Sequence, residues 1–390
     1  MSYLCTACKI VYVNYFSNIV ALYCTSKFFC LKIVILLSVK TSSNKSIGIK
    51  EIAERAKVSI GPVDRVLHNR GGVSKATRER ILQAIKDLEY TPNILASRLK
   101  SARDYNIAIL IPEATDMIPF WSAHNVGFNA ALKEVSPFGI NINILTFGQN
   151  NEASFKLRVN EVMSEDYDGI FMVPVFYEQT LRLLEHCKEL TVPVIFFDSN
   201  IPGLSNISFI GNNARDSGYL AANLLDYTIT KKADILIATI EREEDNHIQF
   251  SAREEGFLAY FENSGRKILR FRDSTGSEQV ISTGISAIFN DNPNLEGIFV
   301  VNGIDKIASA VTPAQKSNYR MIGYDLVDKN IELLKNGAID FLISQQPQKQ
   351  AYQGIKLFYD HLILKKPIGS CYFLPIDIVM EANIDYYRFL

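Results

Sequence analysis

The chain has 390 residues, 47% of them hydrophobic and 21% charged, which excludes a disordered chain and leaves room for two or three cores. Its formal net charge of −1 conceals a basic front: Met1–Lys45 has five lysines and no acidic residue, residues 47–101 have eleven Lys/Arg against six Asp/Glu, and the remainder has twenty-five against thirty-six. A short basic globular stretch ahead of an acidic body points to a polyanionic partner for the first and not the second.

Residues 1–46 differ in character from the rest of the chain. Ile10 to Val39 is apolar and aromatic, but Lys27 and Lys32 interrupt it, Asn14 and Asn18 dilute it, and no small-residue cleavage pattern precedes Thr41–Lys45, which argues against a clean membrane span or signal peptide. The reading adopted is an N-terminal extension that is no functional part of the mature protein, taken in by a wrong start codon; a membrane anchor is the alternative. The next Met after Met1 is Met117, so a start near Ile47 needs a non-Met codon. Cys5, Cys8, Cys24 and Cys30 lie in this segment and only Cys187 and Cys371 elsewhere, so no disulfide framework spans the body and a reducing compartment fits. Cys5 and Cys8 have zinc-ligand spacing, but no second pair follows. Neither metal nor cofactor is expected.

Residues 47–93 carry three helical patterns. Lys50–Ala56 puts Ile52, Ala53 and Ala56 on one face. After Lys57-Val58-Ser59, a second stretch runs from Ile60 to about His68 with Val63, Val66 and Leu67 inward; Ser59 stands at the N-cap and Pro62 in the first turn, where its missing N–H has no intrahelical partner. Val73-Ser74 introduces a third helix, Lys75–Leu88, with Ile81, Ile85 and Leu88 at helical spacing. The result is an all-α helix-turn-helix domain. Gly61, Asp64, Arg65, His68 and Asn69 form a polar face on the second helix, as major-groove reading requires. Arg65 can hold both acceptors of a guanine, and Asp64 can accept from cytosine or orient Arg65. Lys50, Arg70, Lys75 and Arg78 are assigned to phosphates, which fix register without reading sequence.

The string Ile49 to Lys57, Val58-Ser59, Val63-Asp64-Arg65-Val66-Leu67, Val73-Ser74-x-x-Thr77-Arg78, Leu88-x-Tyr90-x-Pro92-Asn93 and Ala96-x-x-Leu99 resembles the LacI/GalR headpiece from end to end. The resemblance implies a hinge helix over residues 94–103, with Ser59 and Asn93 among the DNA contacts and Leu99 as a minor-groove wedge beside Ala96 and Lys100; a wedge between base steps kinks the duplex. Lys57 stands where the family has Gly or Asn, at a turn position that favours left-handed backbone. Gly61-Pro62 replaces a larger polar pair, so readout by the first turn is expected to be weak or shifted toward Arg65 and His68.

From Tyr105 on, apolar runs alternate with helical stretches: Ile107–Ile111, Ile142–Thr146, Gly169–Pro174, Val194–Asp198, Ile235–Thr239, Gly297–Val301 and Met321–Tyr324. Such alternation predicts parallel α/β sheets, with a ligand beyond the carboxyl ends of the strands. Phe120-Trp121, Asp198, Asn302 and Asp325 follow such runs, and Arg253 and Gln345 lie between others. With Asp168-Gly169-Ile170, Gly211-Asn212-Asn213, Gly218, Arg253-x-x-Gly256-Phe257, Gly323-Tyr324-Asp325 and Gln345-x-Pro347 in order, residues 104–390 resemble the type I periplasmic sugar-binding fold that serves as the LacI/GalR sensor. This implies an α/β body of two subdomains, about 104–209 with 343–374 and about 210–342 with 375–390. It also implies Phe120 and Trp121 as a stacking pair, and Asp198, Arg253, Asn302, Asp325 and Gln345 as hydrogen-bonding partners of a carbohydrate. Ile118 and Ser199 stand where sugar binders carry Asn and Arg, which leaves room for a modified sugar or another metabolite.

The function expected is a cytoplasmic, nucleoid-associated transcriptional repressor, a homodimer on a palindromic operator, whose DNA affinity a small-molecule effector controls. No heptad tail follows Glu381, so no coiled-coil tetramer is expected. The rival is an exported or membrane-anchored solute-binding protein, which the helix-turn-helix opposes. An enzyme would need a phosphate loop, a metal spacing or a nucleophile elbow, and the sequence has none of these motifs.

Overall fold

The computed structural model describes residues 48–390 except 68, 69, 89, 91–102, 116–118, 202, 205–207, 242–246, 313–315, 317 and 388–390. The readings placed on residues 1–46, on His68 and Asn69, on Ile118, and on Asn93, Ala96, Leu99 and Lys100 lie outside the described residues. The chain divides into two units, one ending at Ile94 and the other beginning at Leu95.

In the first unit, helices α1 (Ile49–Ala56), α2 (Ile60–Leu67) and α3 (Lys75–Asp87) enclose a small core of Ile52, Ala53, Ala56, Val63, Val66, Ile81 and Ala84. Leu67, Ile85 and Leu88, which the periodicity also turns inward, are half-buried at its rim. Helix α1 opens with the Gly48 N–H donating to the Glu51 carboxylate at 2.9 Å. Helix α3 opens on Ser74, whose hydroxyl accepts the Thr77 N–H, an N-cap of the kind that contributes about 1 kcal/mol. Between α1 and α2, Lys57 sits at φ 53° and ψ 51°, while the Val58 N–H donates to the Ala53 carbonyl at 2.9 Å and closes the helix end. This is the left-handed conformation that the turn demands, adopted here by a residue with a β-carbon.

The second unit holds two six-stranded sheets. The first contains β1 (Tyr105–Pro112), β2 (Ile140–Phe147), β3 (Gly169–Met172), β4 (Val194–Phe197) and β5 (Ser208–Gly211), and its helices are α4 (Ser122–Val135), α5 (Glu152–Ser164) and α6 (Tyr177–Leu190). The chain then builds most of the second sheet from α7 (Ala214–Thr228), β6 (Asp234–Ile240), α8 (His247–Phe261), β7 (Ile268–Asp273), α9 (Glu278–Asp291), β8 (Leu295–Asn302), α10 (Ile304–Ala310), β9 (Arg320–Tyr324), α11 (Asp328–Lys335) and β10 (Phe341–Ser344). Helix α12 (Pro347–Leu362) returns to pack on α4, β11 (Cys371–Phe373) joins the first sheet beside β5, and β12 (Asp377–Val379) joins the second beside β10. Strand orders are β11-β5-β4-β3-β1-β2 and β12-β10-β9-β8-β6-β7. All pairings are parallel except β10 with β12.

Both sheets are covered on both faces, which is why their central strands read as unbroken apolar runs. In the first sheet Ile107, Ile109, Phe171, Ile195 and Phe197 face α4 and α12, while Ala108, Leu110, Ile170, Met172 and Phe196 face α5 and α6. All seven expected strand runs are strands. The five not anticipated have physical reasons for their silence: β7 is an edge strand in which Arg270 and Arg272 alternate with apolar residues, β11 and β12 have three residues each, and β5 and β10 four.

The chain passes between sheets three times: after Gly211, after Ser344 and after Phe373. The first two passages fall a residue or two later than positions 209 and 342 suggested by sequence. These segments are tied to one another, since the Asn212 amide donates to the Pro375 carbonyl at 2.8 Å and the Gln346 amide to the same carbonyl at 2.7 Å. Helices α7 and α8 meet at backbone contact: a β-carbon on Gly218 would lie 1.9 Å from the Arg253 carbonyl oxygen, and one on Gly256 would lie 1.8 Å from that of Arg215. Only hydrogen fits at either place, and this close packing sets where Arg253 emerges.

Because a left-handed lysine costs about 1 kcal/mol that glycine avoids, Lys57→Gly is expected to slow opening of the three-helix unit about fivefold in amide hydrogen exchange of the full chain. Unchanged or faster exchange in α1–α3 would show that the lysine makes a compensating interaction.

Candidate functional site

Two surfaces carry the functional residues suggested by sequence. On the headpiece, Lys50, Ser59, Gly61, Arg65, Arg70 and Lys75 are exposed, and Asp64 and Arg78 are half-buried. A side chain on Gly61 would meet nothing within 4 Å, so the first turn of α2 is open outward while Val63 and Val66 seal its inner face. Asp64 pairs with Arg70 at 3.5 Å, which holds a residue beyond the helix over the helix's polar face. The arginine is exposed and the carboxylate only half-buried, so the pair is a positioning contact of little energetic weight.

The second surface is a cavity of about 590 Å³ at the carboxyl ends of the strands. It lies between the two sheets, where open α/β folds place ligands. Phe120, Trp121, Asp198, Arg253, Asn302, Asp325 and Gln345 all line it. From the first sheet's side, the 3-10 turn Pro119–Trp121 presents two aromatic rings, 4.9 Å apart and edge to face. Trp121 is fixed by the Gln149 side chain, whose Oε1 accepts its indole N–H at 2.8 Å, and by His124 beneath it at 5.4 Å and 27° from parallel. His124 is fully buried, and burial drives its pKa down to about 3. It is a neutral aromatic support.

Arg253, on α8, is only 2% exposed. Its Nη1 donates to the Val301 carbonyl at 2.9 Å, its Nη2 to Gln345 Oε1 at 2.7 Å, and its guanidinium stacks over the Tyr324 ring at 3.7 Å. Its Nε–H is buried without a hydrogen-bond partner, as is Oδ1 of Asp198. A buried cation costs several kcal/mol unless compensated, and here the compensation is a carbonyl, an amide, a ring face and two acidic neighbours. Gln345 gathers these groups: its Oε1 also accepts from Gln249 Nε2 at 3.0 Å, and its Nε2 donates to Asp325 Oδ1 at 2.7 Å. Asn302 donates to the Ile240 carbonyl at 2.7 Å, linking the ends of β8 and β6.

Asp198 and Asp325 both have left-handed backbone, with φ of 63° and 79°. Burial pushes the Asp198 carboxyl up to about 7 against the opposing pull of Arg253, and Asp325 raises it further. Burial also raises Asp325, while Arg253 and the Gln345 amide lower it. One guanidinium does not offset two buried carboxylates, so the pair retains a proton near neutrality. The lining also includes residues not singled out from sequence, among them Gln249, Phe250, Lys306 and Lys329. Gln249 was within reach of sequence reasoning, because it lies four residues before Arg253 and so on the same helical face. Lys306 and Lys329 carried no such signal. Among the described residues no cluster of three or more His, Cys, Asp or Glu could hold a metal, and no helix is long and apolar enough to cross a membrane.

The family of bacterial regulatory proteins described as the lacI family matches residues 48–93, and the periplasmic binding protein domain family matches residues 107–366. The chain is 28% identical over 285 residues to the HTH-type transcriptional regulator RegA of Clostridium saccharobutylicum, covering 72% of this chain and 80% of that one. Other curated relatives match over less: RegA of Clostridium acetobutylicum is 46% identical over 66 residues, 17% of this chain and 20% of its own. The ribose operon repressor of Halalkalibacterium halodurans is 28% identical over 179 residues, 45% and 50% of the two chains. A solved LacI transcriptional regulator from Bacteroides fragilis is 30% identical with a TM-score of 0.65, covering 73% of this chain and all of that one.

Asp198 gives the fold a specific pH dependence. Its folded pKa of about 7 exceeds the ordinary 3.8, so the unfolded chain releases this proton first and stability falls as pH rises between about 4 and 7. His124, with its folded pKa lowered to about 3, acts in the opposite direction below pH 6.5, so the comparison must be between variant and wild type. Asp198→Asn is expected to gain stability relative to wild type progressively from pH 4 to 7 and then to hold a constant advantage, measured by denaturant unfolding across that range. A difference independent of pH would remove Asp198 as a buried titrating group.

Proposed function

The chain belongs to the lacI family of bacterial regulatory proteins, a DNA-binding headpiece joined to a periplasmic-binding-protein-like sensor, and on that premise we propose that the cleft takes a sugar or sugar derivative and that the protein acts as a homodimer on a palindromic operator. It is a transcriptional regulator whose hold on DNA a small molecule controls; its relatives are regulators and not enzymes. The observation that carries the ligand reading is that buried side-chain atoms lining the cavity lack partners, Asn150 Oδ1 and Asn330 Oδ1 among them and, at its polar centre, the acceptor Asp198 Oδ1 and the donor Arg253 Nε–H. A ligand offering a hydroxyl to each of the last two would satisfy both groups, and an unmade buried hydrogen bond costs about 1–3 kcal/mol. Phe120 and Trp121 supply a ring face for the C–H face of a pyranose or furanose, and Asn302, Asp325 and Gln345 supply further partners for hydroxyls. The name of one relative, the ribose operon repressor, agrees with a sugar.

On the DNA side, Arg65 is the base reader, with Gly61 and Asp64 on the same helix and His68 and Asn69 next in sequence, while Lys50, Arg70, Lys75 and Arg78 meet phosphates. Ser59, Asn93, Ala96, Leu99 and Lys100 complete the contact, Leu99 as a wedge in the minor groove. Two headpieces are needed to read two half-sites, hence the dimer. Ligand closure of the cleft then changes DNA affinity by favouring one of two sensor states. The protein works in the cytoplasm on the nucleoid; a solute-binding protein would have no use for the headpiece.

Genomic footprinting with and without a panel of monosaccharides tests the reading, with a palindromic motif near carbohydrate genes expected. The absence of any enriched motif in every condition would overturn it. On the recovered site, Arg65→Ala is expected to lower specific affinity about tenfold or more while sparing non-specific binding; an equal loss in both would make Arg65 a phosphate contact. Asp325→Ala is expected to abolish the response to the active sugar with operator affinity within about twofold of wild type. Retained sugar affinity would remove Asp325 from the site.

A further inference from the structure

Gln350 lies on α12, is 1% exposed, and is not among the residues lining the cavity. Burial of an amide is unfavourable unless both of its ends are paired, and both are. Gln350 Oε1 accepts the Asp198 N–H at 2.8 Å across 152 residues of sequence, and Gln350 Nε2 donates to the Gln345 carbonyl at 2.8 Å.

Each partner lies where the backbone is strained or changes sheet. At Asp198 the φ is 63° and the Ser199 N–H donates back to the Phe197 carbonyl at 2.7 Å. A bond from residue i+2 to residue i around a centre of positive φ is the rare, strained form of the γ-turn, which persists only where its surroundings over-determine it. Apart from Gln350, the Asp198 N–H has only a longer contact of 3.3 Å to the Ile210 carbonyl. Gln345 begins the passage from the second sheet back to the first, and Gln346 beside it is again left-handed at φ 55°. From Gln345 the side chain continues to Arg253, Asp325 and Gln249. The Gln350 amide therefore links the first subdomain's carboxylate turn to the segment on which the second subdomain's polar groups converge; Gln249 bridges the same two places from α8, its Nε2 donating to the Asp198 carbonyl at 3.2 Å as well as to Gln345 Oε1, but does not reach the Asp198 N–H. An apolar side chain of the same size would fill the space and hold neither.

We propose that Gln350 is a positioning residue of the sensor: it holds the strained Asp198 turn and fixes its distance from the Gln345 passage, so that the polar groups of the two subdomains move as one set. The proposal rests on the cavity being the effector site, but its test uses neither effector nor DNA, so a failure of the effector reading and a failure of this one are distinguishable.

The test is amide hydrogen exchange of the full chain, wild type against Gln350→Met. Exchange is expected to accelerate about tenfold in peptides carrying Asp198–Ser199 and Gln345–Gln346, with β1, β3 and the rest of β4 unchanged. Thermal unfolding supplies the second measurement, in an Asp198→Gly background where glycine takes positive φ without steric cost. There Gln350→Met is expected to lower the melting temperature by less than half of what it does alone; if Gln350→Met alone does not fold, the double variant is expected to fold. Unchanged exchange at Asp198, acceleration spread evenly through the first sheet, equal drops in melting temperature in both backgrounds, or failure of the double variant to fold would each overturn the proposal.

Discussion

The sensor is organised around one costly group, a guanidinium buried at the meeting point of two subdomains. Arg253 is placed there by two helices that touch backbone to backbone through Gly218 and Gly256, and its charge is shared among the Val301 carbonyl, the Gln345 amide, the Tyr324 ring and two carboxylates. None of these partners belongs to the same secondary-structure element as Arg253. A charge held this way is stable only while the β8 and β9 ends and the inter-sheet passage keep their places, so the polar centre of the cleft depends on the overall arrangement of the fold. That dependence is what a switch needs: a ligand that alters the local balance acts on the elements that hold it.

Strained backbone and an unpaired buried oxygen coincide at Asp198. Asp198 and Asp325, the two carboxylates of the cleft, are both left-handed, and Asp198 has an oxygen with no partner beside an arginine with a free Nε–H. Strained backbone and unpaired buried polar atoms are unfavourable for a resting fold. Where they coincide in a cavity, as at Asp198, a group that pairs with them returns free energy. The two sheets themselves are built conventionally, with alternating apolar faces and helices over both.

The headpiece contrasts in construction. It is small, basic and locally encoded, with a core of seven buried side chains among the described residues and a second helix, α2, whose first turn is open to the outside. Among its described residues the one non-glycine in left-handed backbone is Lys57, at the turn that separates α1 from α2. The excess of basic residues before position 101 and of acidic residues after it keeps attraction for a polyanion on the headpiece and repels it from the sensor.

Much of this was legible in the residues, for reasons of range. Helix periodicity, the cap at Ser74, the left-handed demand at Lys57 and the seven apolar runs are local signals, and the order of motifs from Phe120 to Pro347 carried the family resemblance and with it the seven cleft residues. The sequence by itself therefore determined which elements form, where the basic surface lies and which residue types end the strands. Only the tertiary structure decided what is set by separation in space. That includes the edge strand β7, in which Arg270 and Arg272 alternate with apolar residues, and the three-residue strands β11 and β12, which depend on neighbours more than on their own propensity. It includes the desolvation that lifts Asp198 and lowers His124. It also includes the role of Gln350, whose two hydrogen bonds reach a turn 152 residues away and a strand end five residues back. Burial and pairing are properties of the folded assembly of elements, and no local pattern of residues encodes them.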